Sequence, residues 1–461
     1  MSNVFKVGAG SAEIVFDEKM FPVEGFKGVH DNPHVRVILV QGETNLALVS
    51  AELAVVAKPF VISIKKIVAE VTGFADEEIW VHGTHTISTP HAPGPKPVGP
   101  DRREPTEREK EQRGIYTDAL NAAAKEAVTA AWANVQEAKV LSAAGTSDIN
   151  ANMRELEAAR GFEDKTACGV SSKDLNVVVF KGNEGPVAVL YTYDMVAGGL
   201  DNSGMKTTTR LVSTDIQGWA CNKLEEKLGC PVVFCLGAAC DQRPKEQALY
   251  KVMTAEGEQE VDLGVEEGLK IVEKYGEILA ADLEAAIAGA ECACGEAQVK
   301  SSTSVFTCKN RPRGPKGGGQ GGPGVPGGHG GPQGGPGGHG GPQGGPQGGH
   351  GGPQGGPKGG PGGLAGPGAG DTTDLDLFVA RIGEVGLVAT NPEMCAGSEL
   401  SLKAASPFKT TLFISMTNGP KSYMADENSF ANETAEARAS FAEKGSAEGL
   451  VASAVEALKA L

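Results

Sequence analysis

The segment "VHGTHTISTPHAPGP", residues 81–95, holds the side chains of this chain that are best suited to chemistry. It places His82, His85 and His91 within ten residues, although the whole chain has only eight histidines. A neutral imidazole can move a proton near pH 7 or bind a metal such as zinc. On an extended strand, His82 and His85 would point to opposite faces. A metal site that uses these histidines therefore needs a turn between them or ligands from distant parts of the chain. The alternative to a metal site is that the histidines make structural hydrogen bonds.

The three histidines follow the apolar run "EIWV", where a predicted strand ends and a loop begins. Functional sites of α/β proteins collect at the ends of strands. Short β-branched or apolar runs predict further strands, namely "VRVILVQ", "NLALVSAEL", "NVVVFKG", "VAVLYTY", "PVVFCLGAA", "FVARIGEVGLVAT" and "TTLFISM". Apolar residues at helical spacing predict helices in "YTDALNAAAKEAVTAAWANV", "STDIQGWACNKLEEKL", "GVEEGLKIVEKYGEILAADLEAAIAG" and "SAEGLVASAVEALKAL". The alternation predicts an α/β fold with a mixed β-sheet core and flanking helices.

Residues 314–370 have a different composition, almost wholly Gly, Pro, Gln and His. Such a segment cannot bury enough apolar surface to offset its ordering entropy, so we predict a disordered insertion. Its histidines, His329, His339 and His350, recur at near-regular intervals. They indicate either weak metal capture or a flexible loop that grew by duplication. Because strands are predicted on both sides, we expect residues 1–313 and 371–461 to form a single domain whose sheet closes across the insertion.

The overall composition excludes several classes of function. The 461-residue chain carries a formal net charge of −16, which argues against nucleic acid or an anionic membrane as the main partner. Neither a signal peptide nor the roughly 18-residue apolar run of a transmembrane segment is apparent. The nine cysteines are an odd number, and their wide spread is typical of reduced thiols. We therefore expect a cytoplasmic protein that acts on a small molecule; the oligomeric state is left open.

Several segments, taken in order along the chain, resemble the neutral/alkaline non-lysosomal ceramidase family. These enzymes are zinc-dependent amidases that split ceramide into sphingosine and fatty acid. "VHGTHTISTPHAPGP" resembles the family's Thr-His-Thr-His-Ser-x-Pro-Gly segment, and "INANMRE" resembles its Asn-Arg pair. "VSTDIQGWACNKLEEKLGCPVVFCLGAACDQRP" is similar to its Ser-x-Asp-x-x-Gly helix and Gly-Asp-x-x-Pro loop, and "NPEMCAGSELSLKAASPFKTTLFISMTNGPKSYMADENSF" to its Gly-Glu and Asn-Gly-x-x-x-Tyr regions. The resemblance spans nearly all the chain outside the insertion.

The resemblance implies a metal site and its residues. The family's zinc ligands match His85, Glu393 and Tyr423, and the arginine that contacts a substrate oxygen matches Arg154. Asp194 stands where the family has its second histidine ligand. Since a carboxylate can replace an imidazole, the resemblance still implies Zn²⁺, and the harder ligand set also admits Mn²⁺ or Mg²⁺.

Other positions depart from the family pattern. Ile87 replaces a histidine that contacts substrate in the family, and His82 or His91 could restore a nitrogen ligand if the loop folds back. In "CDQRP", Cys240 and Arg243 replace a glycine and a serine. The guanidinium of Arg243 would favour an anionic substrate.

Three more residues have two interpretations each. Asp241 either supports the metal site or is a turn acid, and Asp215 is either a helix cap or a site residue. Cys240 is either a nucleophile or a small buried thiol.

Two functions follow from these patterns. The first is a metal-dependent hydrolase that cleaves a linear amide of a small or lipid-like substrate by metal-activated water, with Arg154 and Arg243 orienting the substrate. The second is a non-catalytic relative, a binding or assembly protein that kept the scaffold and lost the metal site. The changes at Asp194, Ile87 and Arg243 motivate this second hypothesis.

Overall fold

A computed structural model describes residues 5–94, 103–295, 298–311 and 371–461. The predicted insertion at residues 314–370, with His329, His339 and His350, lies outside the described residues. Within the described ranges, no helix combines the length and the apolar character needed to cross a membrane.

The strands are mostly short, as the β-branched runs predict, and alternate with helices along much of the chain. Their bounds are β1 (Phe5–Glu13), β2 (Phe26–Val29), β3 (His34–Gln41), β4 (Leu46–Ala51), β5 (Ile79–Gly83), β6 (Gln136–Thr146), β7 (Asn150–Asn152), β8 (Asp174–Lys181), β9 (Pro186–Tyr193), β10 (Arg210–Val212), β11 (Val232–Leu236), β12 (Gln242–Pro244), β13 (Leu249–Thr254), β14 (Gly257–Asp262), β15 (Glu291–Cys292), β16 (Val299–Lys309), β17 (Thr372–Ile382), β18 (Val385–Thr390), β19 (Glu393–Met394), β20 (Thr410–Ile414) and β21 (Tyr423–Met424). The helices are α1 (Lys58–Thr72), α2 (Glu107–Ala133), α3 (Met153–Ala159), α4 (Asp215–Leu228), α5 (Val265–Ala288), α6 (Ala396–Ala405), α7 (Glu427–Ala431), α8 (Ala435–Ala439) and α9 (Ser446–Lys459).

Two mixed sheets form the centre of the fold. The larger sheet has the strand order β11–β9–β8–β6–β1–β3–β4–β5, with β15 added beside β6. Its neighbouring strands are antiparallel except for the β9–β11 and β4–β5 pairs, which are parallel. The smaller sheet has the order β16–β17–β18–β20. The prediction of an α/β fold with a mixed sheet is confirmed.

The two sheets pack face to face, and helices cover both outer faces. Alternate residues of the larger sheet, such as Val178 and Phe180, join Phe378 and Leu412 of the smaller sheet in one buried cluster. The opposite face of the larger sheet packs against α1, α2, α4 and α5, and the outer face of the smaller sheet packs against α6 and α9. Strands buried on both faces need apolar residues at consecutive positions, which explains runs such as "NVVVFK".

Chain segments on both sides of residues 312–370 build the smaller sheet together. Strands β16 and β17 flank that range and pair antiparallel along eleven residues each, from Val299 opposite Ile382 to Lys309 opposite Thr372. This register agrees with the expectation that the sheet closes across the insertion.

Two details of the predicted helices are corrected by the structure. A serine at the start of "SAEGLVASAVEALKAL" predicts Ser446 as the N-cap of the last helix, but Ser446 is its first residue. Gly445 is the cap, with φ of 85°, a left-handed conformation that glycine adopts without strain. The three- and four-residue steps from Leu120 through Val128 predict Trp132 on the buried face of α2, but Trp132 is 38% exposed and packs edge-on against Phe74. The buried face of α2 instead includes Leu120, Ala124 and Val128.

Candidate functional site

His85 lies just beyond the end of β5, where the chain leaves the sheet. Its φ of 57° is left-handed, so the backbone turns sharply between His82 and His85, as a site at this position requires. The His85 Nδ1 lies 2.9 Å from the carbonyl oxygen of Ala54. Because a carbonyl can only accept, Nδ1 carries the hydrogen, and the lone pair of the neutral imidazole is on Nε2. The hydrogen bond thus fixes both the ring orientation and the atom that is free to bind a ligand.

Glu393 faces this histidine from the other half of the chain. Its Oε2 lies 3.9 Å from the His85 Nε2, and its Oε1 is buried without a hydrogen-bond partner among the described residues. A metal ion between the imidazole nitrogen and the carboxylate would give both groups a partner, and a buried unpaired oxygen is costly. Two such ligand atoms on a tetrahedral zinc lie about 3.4 Å apart, so a shift of about 0.5 Å would let both bind one ion. These two residues therefore fit a metal ion.

Tyr423 is the third residue of this group. Strands β19 and β21 are parallel with Glu393 directly opposite Tyr423, and neighbours in such a register extend to the same face of the sheet. Burial, and then the nearby Glu393 carboxylate, raise the pKa of Tyr423 above its usual value. The structure thus places His85 near Glu393 and Glu393 next to Tyr423, although the three residues are far apart in sequence.

Arg243 lies beside the same group. Its Nη1 donates to the backbone oxygens of Gln242 at 2.9 Å and Ala239 at 3.2 Å, which holds the guanidinium in place. Burial alone would lower the pKa of Arg243, but the neighbouring Tyr423 and Glu393 outweigh burial and raise it. Within residues 5–94, 103–295, 298–311 and 371–461, no hydrogen-bond acceptor contacts its Nε or Nη2. A fixed cation with unused donors can bind an anionic group.

Arg154 is engaged by carboxylates rather than open to a substrate. Its Nη1 donates to Glu436 at 2.8 Å and its Nε to Glu157 at 2.9 Å. Burial would raise the pKa of Glu436, but the Arg154 guanidinium more than compensates and lowers it. The buried Arg154–Glu436 ion pair joins α3 to α8, so in this conformation Arg154 has a structural partner in place of the predicted substrate oxygen.

Asp241 positions the segment that carries Glu393. Its Oδ1 accepts a hydrogen bond from the backbone N–H of Ala396 at 3.1 Å, and its Oδ2 accepts one from Asn152 at 2.9 Å. Burial, and then repulsion by Glu436, raise the pKa of Asp241 to about 7. Of the two interpretations offered by the sequence, the contacts favour a supporting role, because the carboxylate holds the start of α6 three residues after Glu393.

Asp194, predicted as the fourth metal ligand, lies in a different buried network. Its Oδ1 accepts a hydrogen bond from the backbone N–H of Ala238 at 2.9 Å. The same N–H also donates to the Glu399 Oε2 at 3.3 Å. Lys403 donates to Glu399 at 2.6 Å. Burial, and then the adjacent Glu399, raise the pKa of Asp194 well above its usual value.

The described residues contain no group of ligand atoms that unites His85, Asp194 and Glu393. Across those ranges, the cluster of at least three His, Cys, Asp or Glu ligand atoms within 4.8 Å of one another consists of Cys240, Asp241 and Cys395. The structure therefore pairs His85 with Glu393 and does not bring Asp194 to them.

The other two histidines of the segment make structural contacts. His82 is fully buried; its Nδ1 lies 2.8 Å from the Ser415 carbonyl, and its Nε2 accepts the N–H of Leu236 at 2.9 Å. Burial lowers the pKa of His82 to about 3, which keeps the ring neutral. The His91 Nδ1 is hydrogen-bonded to the Glu24 Oε2 at 2.9 Å near the surface. Neither histidine supplies the nitrogen ligand that the sequence left open.

Asp215 organises two loops near the site. It is the first residue of α4 and has a left-handed φ of 56°. Its carboxylate accepts hydrogen bonds from the backbone N–H groups of Gly199 at 2.8 Å and Leu200 at 3.2 Å, and from the Ser88 hydroxyl at 2.7 Å. Ser88 follows Ile87, whose own N–H bonds to Ala197. Asp215 is therefore neither a simple helix cap nor a site residue: it ties the histidine segment to the loop after β9.

Solved structures with a similar fold identify the architecture. One is a ceramidase complexed with C2, with a TM-score of 0.66 at 13% identity over 99% of this chain and 75% of that one. Another is the neutral ceramidase from Pseudomonas aeruginosa, with a TM-score of 0.67 at 12% identity over 100% of this chain and 75% of that one. The chain has the ceramidase fold. No protein-family profile and no curated protein matches the sequence.

Two contributors to the candidate site were not predicted from the sequence. Glu436 contacts Arg154, and its charge also acts on Asp241 and Arg243. The Ala54 carbonyl orients His85. No sequence pattern indicates which backbone carbonyl will contact a given histidine. A buried arginine needs an acidic partner, but the sequence does not show which acidic residue that is.

Proposed function

We propose that this protein is a ceramidase-like, metal-dependent hydrolase that cleaves a linear amide bond. The observation that carries the proposal is the opposition of the His85 Nε2 lone pair and the Glu393 carboxylate, with one carboxylate oxygen unpartnered. The ceramidase fold and the positions of Tyr423 and Arg243 support it. Zn²⁺ suits one nitrogen and two oxygen ligands, and Mn²⁺ or Mg²⁺ is the alternative.

Each residue has a defined part in this proposal. His85, Glu393 and Tyr423 hold the metal, which when bound supplies Lewis acidity toward a carbonyl oxygen. Arg243 orients the substrate through an anionic group, and Asp241 fixes the segment that follows Glu393. Arg154 acts through its ion pair with Glu436, which lies close to Arg243 and Asp241. Because Asp194 is held elsewhere, three protein ligands remain, and that number leaves coordination positions open for a substrate.

A second candidate function is a binding protein without metal. The guanidinium of Arg243 already places positive charge beside Glu393 and Tyr423, where it can compensate the carboxylate. In this case the site would bind an anionic small molecule and would not hydrolyse it.

Metal content separates the two candidates. We expect the purified wild-type protein to contain about one zinc or manganese ion per chain, and we expect His85→Ala to lose it, because His85 supplies the single nitrogen ligand. The matched control is His91→Ala, since His91 belongs to the same segment but pairs with Glu24 near the surface. Elemental analysis of the three proteins measures this. Protein that stays metal-free after zinc or manganese is supplied would reject the hydrolase proposal in favour of the binding protein.

Substrate charge tests the part assigned to Arg243. We expect an N-acyl amino acid to be hydrolysed faster than the corresponding neutral amide. Because a hydrogen bond to a charged group contributes about 1.5–3 kcal/mol, Arg243→Met should lower kcat/KM on the anionic substrate by about 10- to 100-fold. Arg243→Lys should retain part of this preference. Equal losses on charged and neutral substrates would show that Arg243 does not bind the anionic group.

A further inference from the structure

Cys240 and Cys395 form a close pair of thiols in the interior. Their Sγ atoms are 2.7 Å apart, although the residues are 155 positions apart in the chain. Non-bonded carbon atoms in contact are separated by about 3.5–4.0 Å, and sulfur is no smaller than carbon. The pair is therefore closer than packing alone requires, and each sulfur has the other as its nearest reactive partner.

Backbone contacts hold the two cysteines in register. The N–H of Cys240 donates to the carbonyl of Met394 at 3.0 Å. The N–H of Ala396, which follows Cys395, donates to Asp241, which follows Cys240. The two segments are thus joined on both sides of the sulfur pair, so only a small side-chain movement separates the present distance from a disulfide bond of about 2.05 Å.

A metal ion fits this pair less well than a disulfide. Together with Asp241, the two cysteines are close enough to be considered as ligands. However, two thiolates bound to one tetrahedral zinc at about 2.3 Å lie roughly 3.8 Å apart, so the sulfurs would have to separate by about 1 Å. Both Asp241 oxygens also already accept hydrogen bonds. A structural zinc site needs a fourth ligand as well, and the cluster has three members.

We propose that Cys240 and Cys395 form a disulfide bond that fastens the loop of Asp241 and Arg243 to the segment of Glu393. In the reaction, a low-molecular-weight disulfide such as oxidised glutathione accepts the electrons. A Cys240 or Cys395 thiolate attacks it to give a mixed disulfide and one free small thiol, and the second protein thiolate displaces the other small thiol. Two protein thiols and one small disulfide become one protein disulfide and two small thiols, so atoms and electrons balance.

Burial determines when the bond forms. Cys240 is 1% and Cys395 is 0% exposed, so an oxidant of this size reaches them while the chain folds and not afterwards. The same burial shields the finished bond from reductants in the native state. This inference replaces, for these two residues, the expectation that every cysteine is a reduced thiol.

Thiol counting after oxidative refolding tests the proposal. The full chain is refolded in a buffer of reduced and oxidised glutathione, unfolded without reductant and treated with N-ethylmaleimide. Peptide mass spectrometry should find a 240–395 crosslink and seven labelled cysteines of the nine. Cys395 is the single cysteine in residues 371–461, so any crosslink to that part of the chain must involve it.

Variants and stability complete the test. Cys240→Ser should leave Cys395 fully labelled, whereas the control Cys292→Ser, which removes an exposed cysteine, should keep the crosslink. Wild-type protein that is reduced while unfolded and then refolded should have a Tm several degrees below that of oxidatively refolded wild type. The same treatment should leave the Tm of Cys240→Ser unchanged. Nine labelled cysteines, pairing of Cys395 with another cysteine, or a zinc ion that is lost in Cys240→Ser would each overturn the proposal.

Discussion

Arg36→Met is expected to lower the free energy of unfolding by about 3–5 kcal/mol, because it leaves the buried Glu52 carboxylate without its counter-charge. Arg36 is buried in β3, contacts Glu52 through Nη1, and donates from Nε to Glu225 at 2.7 Å. Burial would raise the pKa of Glu52, but the guanidinium outweighs burial and keeps it below its usual value. The network links the β3–β4 part of the larger sheet to α4. Urea denaturation at pH 7 measures the loss.

Two controls isolate the charge effect. Lys65→Met removes a cation whose partner, Asp76, has a side chain that is 79% exposed, so the loss should stay near or below about 1 kcal/mol. The double variant Arg36→Met, Glu52→Gln should be more stable than Arg36→Met alone, since it no longer buries an unpaired charge. The cost of Arg36→Met should also shrink as the pH falls toward 4, where Glu52 can take up a proton. A single variant within 1 kcal/mol of wild type would show that this network contributes little.

Asp241→Asn is expected to change how stability depends on pH. The pKa of Asp241 in the folded protein is about 7, against an ordinary value of 3.8, so between these values the folded state binds a proton that the unfolded state has released. The stabilisation that this raised pKa contributes is fully present below about pH 4 and is lost as the pH rises to 7. Three pKa units correspond to about 4 kcal/mol. The difference in free energy of unfolding between the wild type and Asp241→Asn should therefore fall by about 4 kcal/mol as the pH rises from about 4 to 7.

Denaturation of both proteins at several pH values from 4.5 to 7.5 measures the difference. Asparagine cannot accept both hydrogen bonds that Asp241 accepts, but that loss does not depend on pH and shifts the whole curve equally. Asp118→Asn, which alters an exposed carboxyl on α2, should give a curve parallel to that of the wild type. Parallel curves for Asp241→Asn as well would contradict the raised pKa.

The predicted metal site shows how far sequence reasoning extends. The resemblance selected His85, Glu393 and Tyr423, and the structure places His85 near Glu393 and Glu393 opposite Tyr423. It also selected Asp194, which follows a strand as the family histidine does. Position along the chain placed Asp194 at the correct strand end, but the orientation of its side chain depends on the Ala238 N–H, which donates to it, and on the adjacent Glu399 carboxylate. Alignment to a motif cannot show which neighbour a carboxyl group contacts.

The sequence by itself determined the α/β class, the main strands of both sheets such as β3, β8 and β20, and the helices α2, α4, α5 and α9, because the backbone periods of 2 and 3.6 residues are local and appear in the order of apolar residues. It also determined which side chains could do chemistry. Only the tertiary structure decided the partners: His85 with the Ala54 carbonyl, Arg154 with Glu436 across 282 positions, and Cys240 with Cys395. Such contacts depend on how two sheets and their helices pack, and no local pattern encodes which distant residue will meet a buried polar group.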